Sequence, residues 1–207
     1  MEYVQLQINY LDWESPAIES KTCYDLCVKH GKPVIVMEPV KGGSLATLSE
    51  DIAEIFLKAR PDKSVASWAM RWVAGLENCK VILSGMTNEE QVEDNLATFT
   101  QPEPLSDREM AVIDEVRKEI TARTFVGCTD CKYCMPCPFG VNIPQNFRIM
   151  NNFAKYSNER ELAFCWNDME EGERADRCKG CGKCETACPQ GIAIREKLQA
   201  IAAKLAK

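Results

Sequence analysis

Eight of the chain's 12 cysteines fall, between residues 128 and 188, in two runs of nearly the same spacing. The first is Cys128, Cys131, Cys134 and Cys137, with two residues in every gap and Pro138 after the last. The second is Cys178, Cys181, Cys184 and Cys188, with gaps of two, two and three and Pro189 next. Disulfides do not persist in a reducing compartment, so such density there points to metal or redox chemistry. Met1-Glu2-Tyr3-Val4-Gln5 has neither the basic nor the apolar part of a signal peptide, and the expected location is the cytoplasm.

Three cysteines at two-residue gaps let one loop wrap an iron–sulfur cubane, while a fourth followed by Pro turns toward the other cluster. The second run fits the bacterial ferredoxin pattern completely. The first departs from it by one residue, with only Met135-Pro136 before Cys137. By the ferredoxin rule Cys128, Cys131, Cys134 and Cys188 hold one [4Fe–4S] cluster, and Cys178, Cys181, Cys184 and Cys137 a second. Zinc is the competing metal, but neither run separates into two Cys pairs, and the single His30 leaves no His pair for a mixed Cys/His site. Gly180 and Gly182 suit a loop that wraps closely around a ligand. The echo of Cys137-Pro138-Phe139-Gly140-Val141-Asn142-Ile143 in Cys188-Pro189-Gln190-Gly191-Ile192-Ala193-Ile194 reads as an internal duplication. Helical patterns from Ile143 to Tyr156, from Glu159 to Met169 and from Ile194 to Lys207 make this part mainly α-helical. The remaining Cys23, Cys27, Cys79 and Cys165 read as packing residues.

The rest of the chain alternates strand and helix patterns. Val4–Ile8 alternates with period two, Pro33–Met37 is almost entirely apolar like a strand covered on both faces, and Val81–Leu83 is a third strand. Ser15-Pro16 reads as the start of a helix that reaches His30, where Gly31 and Pro33 stop it. Further helices are expected near 49–59 and 64–74, from Asn88 to about Ala97, and from the capping box Ser106-Asp107-Arg108-Glu109 to about Thr121. In the last of these, Met110, Ile113, Val116 and Ile120 share one face. The order implies parallel α/β units. A net charge of −6 argues against nucleic acid as partner, and no apolar run is long enough for a membrane.

The segments Val4–Tyr10, Pro33–Gly43 and Leu83–Asn95 resemble, in order and spacing, the sixth, seventh and eighth barrel strands of aldo/keto reductases with their loops. Leu105–Met110 is similar to the segment after that barrel, and residues 125–194 resemble the ferredoxin-type extension of a subgroup. The resemblance implies an α/β plus α chain. Residues 1–100 would be the C-terminal part of a (β/α)8 barrel, about three βα units. Residues 101–124 would be a connector and packing helix, and 125–207 a dicluster domain. It also implies that Gln5 contacts a nicotinamide carboxamide, that Met37 stands where a Tyr usually stacks on the ring, that the start of the Asn88 helix, with Gln91, lies at the adenosine-phosphate site, and that Asn95 lies near the adenine. Gly85 and Gln91 replace the Lys and Arg that many NADP-preferring members carry. The family's catalytic Asp, Tyr, Lys and His have no counterparts here, so a truncated product or a split gene is expected.

Two functions compete at this point. In one, an intact parent is an NAD(P)-dependent oxidoreductase acting on a small carbonyl substrate, and this chain lacks its catalytic half. In the other, the clusters form a non-enzymatic electron-transfer module, or serve structure alone. The expected partners are a redox protein, which an acidic surface would suit if its patch were basic, and the missing N-terminal barrel portion.

Overall fold

The computed structural model describes residues 1–16 and 18–205. It divides into two units, Met1–Glu119 and Ile120–Lys207, the second described to Leu205.

In the first unit, β1 (Val4–Gln7), β2 (Val34–Met37) and β3 (Cys79–Ile82) form a parallel sheet in the order β1-β2-β3. Val4 pairs with Val34 and Gln7 with Met37, while the β2–β3 register shifts after Val34. Parallel neighbours need crossovers, and α1 (Ser20–Lys29) and the pair α2 (Glu50–Ala59) and α3 (Val65–Ala74) supply them. Val34 and Val36 are fully buried, but Ile35 and Met37 only partly. The expectation of a strand covered on both faces is corrected accordingly: one face is packed, the other half open. The third strand begins two residues earlier than expected, taking in Cys79, and ends before Leu83.

The helix expected from Ser15 begins only at Ser20. Side chains near the strand end hold the intervening chain in turns instead. Asn9 Nδ2 donates to Asp12 Oδ2 at 3.1 Å, Asp12 N donates to Asn9 Oδ1 at 2.9 Å, and Ser20 Oγ donates to Gln7 O at 2.8 Å. Such local polar bonds compete directly with a helical backbone. At the other end of α1, Gly31 N donates to Val28 O and Lys32 N to Cys27 O, with Gly31 at φ +60°. These are the two bonds of a Schellman stop, and His30 is its capping residue.

Ser64 Oγ accepts from Ser67 N and caps α3, whose residues 67–73 are all buried. A helix apolar nearly all round belongs inside, and α3 meets α2, α4 (Glu89–Thr100) and β3. Three residues more than expected belong to α4. The capping box forms at α5 (Asp107–Ala122): Glu109 Oε2 accepts from Ser106 N at 2.9 Å, and Ser106 Oγ accepts from Glu109 N at 3.3 Å. Ile113, Val116 and Ile120 are buried on that helix, whereas Met110 is exposed.

The second unit contains α6 (Ile143–Tyr156), α7 (Glu159–Asp168), a short α8 (Lys183–Ala187) and α9 (Ile194–Leu205). The expectation that the last helix reaches Lys207 falls, in its final two residues, outside the described chain. Val141, Ile143, Phe147, Trp166, Ile194, Leu198 and Ile201 belong to one buried cluster. Asn146, fully buried, pins the 171–177 segment to α6. Its Nδ2 donates to Asn142 O and Glu173 O, and its Oδ1 accepts from Ala175 N at 2.9 Å. Asn151 likewise exchanges two hydrogen bonds with the backbone of Val126, both 2.8 Å, just before the first cysteine run. Among the described residues, no helix is long and apolar enough to cross a membrane.

Candidate metal centres

The two cysteine loops follow one backbone path. In the second, Gly180 and Gly182 have φ of +67° and +78°. The corresponding residues of the first are Asp130 at +53° and Lys132 at +63°. In each loop an amide two residues on donates to the first sulfur: Asp130 N to Cys128 Sγ and Gly180 N to Cys178 Sγ, both 3.5 Å. Past each Cys-Pro pair a glycine turns left-handed, Gly140 at +83° and Gly191 at +61°. Their amides donate to Cys137 O and Cys188 O at 3.0 and 3.2 Å. At Gly140 a Cβ would stand 3.3 Å from Gly172 O, so a side chain there would crowd backbone.

The loops do not keep their cysteines to themselves. A cavity of about 200 Å³ is lined by Cys178, Cys181 and Cys184 of the second run together with Cys137 of the first. A smaller one of about 20 Å³ is lined by Cys128, Cys131 and Cys134 with Cys188 of the second run. Cys134 lies in the wall of both. Ile143 and Leu198 back the larger cavity, Pro144, Phe147 and Ile194 the smaller. Burial pushes the Cys128, Cys134 and Cys184 thiols up from their ordinary range, against backbone N–H groups that favour the thiolate. A bound metal would supply what deprotonates them.

This donor set fits an iron–sulfur group. It is all thiolate, a soft ligand, with five cysteines around the larger cavity and four around the smaller, apolar backing and amides close to sulfur. Among the described residues no three or more of His, Cys, Asp and Glu are gathered on a point that one metal ion could occupy. The four other cysteines line neither cavity. Cys27 is buried on α1, and burial raises its thiol and takes that of Cys79 to about 11. Both are poor nucleophiles in that state. Cys165, on α7, packs beside Ile149, Leu162 and Met169.

The nucleotide residues implied by the resemblance are in the first unit. Gln5 Nε2 donates to Met37 Sδ at 3.3 Å across β1 and β2. Asn88 Oδ1 accepts from Gln91 N and caps α4, while Gln91 Oε1 accepts from Thr87 N at 2.8 Å. Asn95 Nδ2 donates to Ser84 Oγ at 3.0 Å. The unit's large cavity, about 710 Å³, lies between the loops that follow β2 and β3. Gln91 and Asn95 line it; Gln5, Met37 and Asn88 do not. Among the described residues its wall includes Glu38 and Asp94 and no Lys or Arg.

Sequence reasoning missed a buried polar knot beside these loops. Asp12 Oδ2 accepts from Gln7 Nε2 at 3.0 Å and pairs with Lys41 Nζ at 2.5 Å, joining the segments after β1 and β2. The Asn9-x-x-Asp12 spacing, a common turn-forming one, was the available clue.

The model of the aldo/keto reductase family matches residues 1–118, and that of a 4Fe-4S dicluster domain matches residues 127–193. No curated protein matches the chain.

Proposed function

Since the chain belongs to the aldo/keto reductase family and carries a 4Fe-4S dicluster domain, an iron–sulfur oxidoreductase type, we propose that it holds two [4Fe–4S] clusters that pass single electrons. The observation that carries this reading is the mixed lining of the cavities: Cys137 joins Cys178, Cys181 and Cys184 around the larger, whose wall Cys134 also reaches, and Cys188 joins Cys128, Cys131 and Cys134 around the smaller. When bound, such clusters supply one-electron redox chemistry at potentials tuned by hydrogen bonds and exposure. The chain's own part is to present thiolates in fixed positions, to direct amides at Cys128 and Cys178, and to back both sites with apolar side chains. Cys131 and Cys181 are exposed, which supports access by a redox partner over a purely structural role.

The three parallel strands in sequential order support a second element of the proposal, three βα units of a (β/α)8 barrel. Hydride transfer from NAD(P)H to a small carbonyl compound would then need the catalytic residues of further strands, which these 207 residues do not contain. Gln5, Met37, Asn88, Gln91 and Asn95 would contribute nucleotide contacts to that larger assembly.

Anaerobic reconstitution tests the cluster reading. The expected product has about eight iron and eight sulfide per chain, with a charge-transfer band in the visible. Zinc content without visible absorbance would overturn it. NADH and NADPH are to be titrated against this chain and against one bearing additional barrel strands. Binding confined to the longer protein is the expected result, and tight binding to these 207 residues alone would refute the incomplete-site reading.

A further inference from the structure

The wall of the larger thiol cavity carries Lys179, Lys183 and Arg195 and no carboxylate. Arg195 is already paired, with Nη2 2.8 Å from Glu185 Oε2. Lys179 and Lys183 are exposed and, among the described residues, have no carboxylate partner. Two aromatic side chains in the same wall also face solvent: Tyr133 is 71% exposed and Phe139 47%. The smaller cavity differs. Its wall has one cation, Lys132, whose loop also carries Asp130, and its apolar residues are turned inward. A chain of net charge −6 therefore shows a positive, aromatic-edged rim at one of two otherwise repeated loops.

We propose that this rim is the docking surface for an acidic protein, a one-electron carrier with a negative face, and that the partner approaches the larger cavity and not the smaller. The inference rests on the reading that the thiols hold a cluster, and it adds the partner's charge and the entry point. Unpaired lysines on an acidic background make a local field that orients a negative partner during encounter. Exposed aromatic rings give that partner apolar anchor area at small entropic cost. A small anion would need donors withdrawn from water, and these lysines are exposed. A nucleic acid would need many phosphate contacts and would meet net repulsion from the rest of the chain.

The test uses the full chain after anaerobic reconstitution, with iron, sulfide and visible spectrum measured first, so that a failure of the cluster reading is recorded separately. Flavodoxin, an acidic flavin protein, is titrated calorimetrically, with basic cytochrome c as the counter-case. Flavodoxin should bind, and more weakly by about tenfold when salt rises from roughly 20 to 200 mM, as screening shortens the field. The double reversal Lys179→Glu with Lys183→Glu should weaken binding by about tenfold or more. Lys132→Glu should change it less than about twofold, and all variants should keep their iron and spectrum. The proposal is overturned if the iron-replete chain does not bind flavodoxin or binds cytochrome c as well. It is also overturned if the double reversal leaves binding unchanged, or if Lys132→Glu weakens it equally.

Discussion

The two units fill their interiors differently. In the first, Val34, Val36, Leu45, Ile52, Phe56, Trp68 and Val73 are buried hydrocarbon and aromatic surface, with Phe56 stacked on Trp68 at 4.7 Å. In the second, Cys128, Cys134, Cys137, Cys178, Cys184 and Cys188 are all packed on the apolar cluster of α6 and α9. The same side chains that finish that core are the proposed ligands. A unit of the first kind owes its stability to volume and shape, whereas one of the second kind adds chemistry that can be withdrawn. Within the second unit the comparison repeats on a smaller scale, because two loops of one conformation are built from different residues.

The strongest way to break this contrast is Cys188→Ser. It should remove about four of eight irons, and the spectral component lost should be the one lost with Cys128→Ser. Cys137→Ser should instead mimic Cys178→Ser. Matching losses within a run, measured by iron analysis and electron paramagnetic resonance, would refute the exchanged ligation. Trp68→Ala comes next. Truncating this fully buried ring should cost the first unit ~3–5 kcal/mol, read from its unfolding transition, and leave iron content unchanged. Iron lost in step with that transition would show that the units do not stand separately.

Glu109 gives a smaller and pH-dependent effect. Burial raises its pKa, but Arg71 at 2.8 Å and the Ser106 amide and hydroxyl outweigh that and bring it to about 2. A carboxylate lowered on folding stabilises fully above its unfolded pKa of about 4.5, and that contribution disappears as pH falls toward 2. Melting temperature followed across this window should fall in the wild type. In Glu109→Gln the fall should be shallower, and the variant should start about 2 kcal/mol less stable at neutral pH because Arg71 is left buried without its anion. The smallest effects come from the loops. Gly180→Ala should destabilise by ~1–2 kcal/mol, since open space surrounds it and only its left-handed φ opposes a side chain. Lys132→Gly should stabilise by about 1 kcal/mol, seen as a rise of a few degrees in melting temperature. A change of the same sign at both positions would refute the claim that the left-handed φ governs the cost of a side chain in these loops.

Much of this was legible because it depends on neighbours in sequence. Ser106-Asp107-Arg108-Glu109 closes its capping box through three residues, and Asn88 caps α4 through the same reach. The thiol sites were visible because their loops are short and their spacing regular. What escaped depended on which side chains pair and how the chain packs, which composition does not reveal. Ser15-Pro16 has a helix-start composition, yet Asn9, Asp12 and Ser20 hold the chain in turns until residue 20. The half-open face of β2 was hidden for a similar reason: an apolar run does not reveal how many layers cover it. Likewise the left-handed Asp130 and Lys132 have no compositional mark, and only superposing their loop on Gly180 and Gly182 exposes them.

The proposed exchange of Cys137 and Cys188 between two clusters would also affect the unfolded chain. Once four thiols are joined through a common inorganic core, the polypeptide is cross-linked, and each exchanged cysteine closes a ring of roughly forty to fifty residues. By the polymer argument for covalent bridges, a ring of that size lowers the entropy of the denatured ensemble by an amount worth ~4 kcal/mol. Ligation confined to each run would close rings of only about ten residues and restrict the chain far less. The crossed arrangement would thus act as a pair of overlapping staples, holding together a small helical unit whose apolar interior is modest.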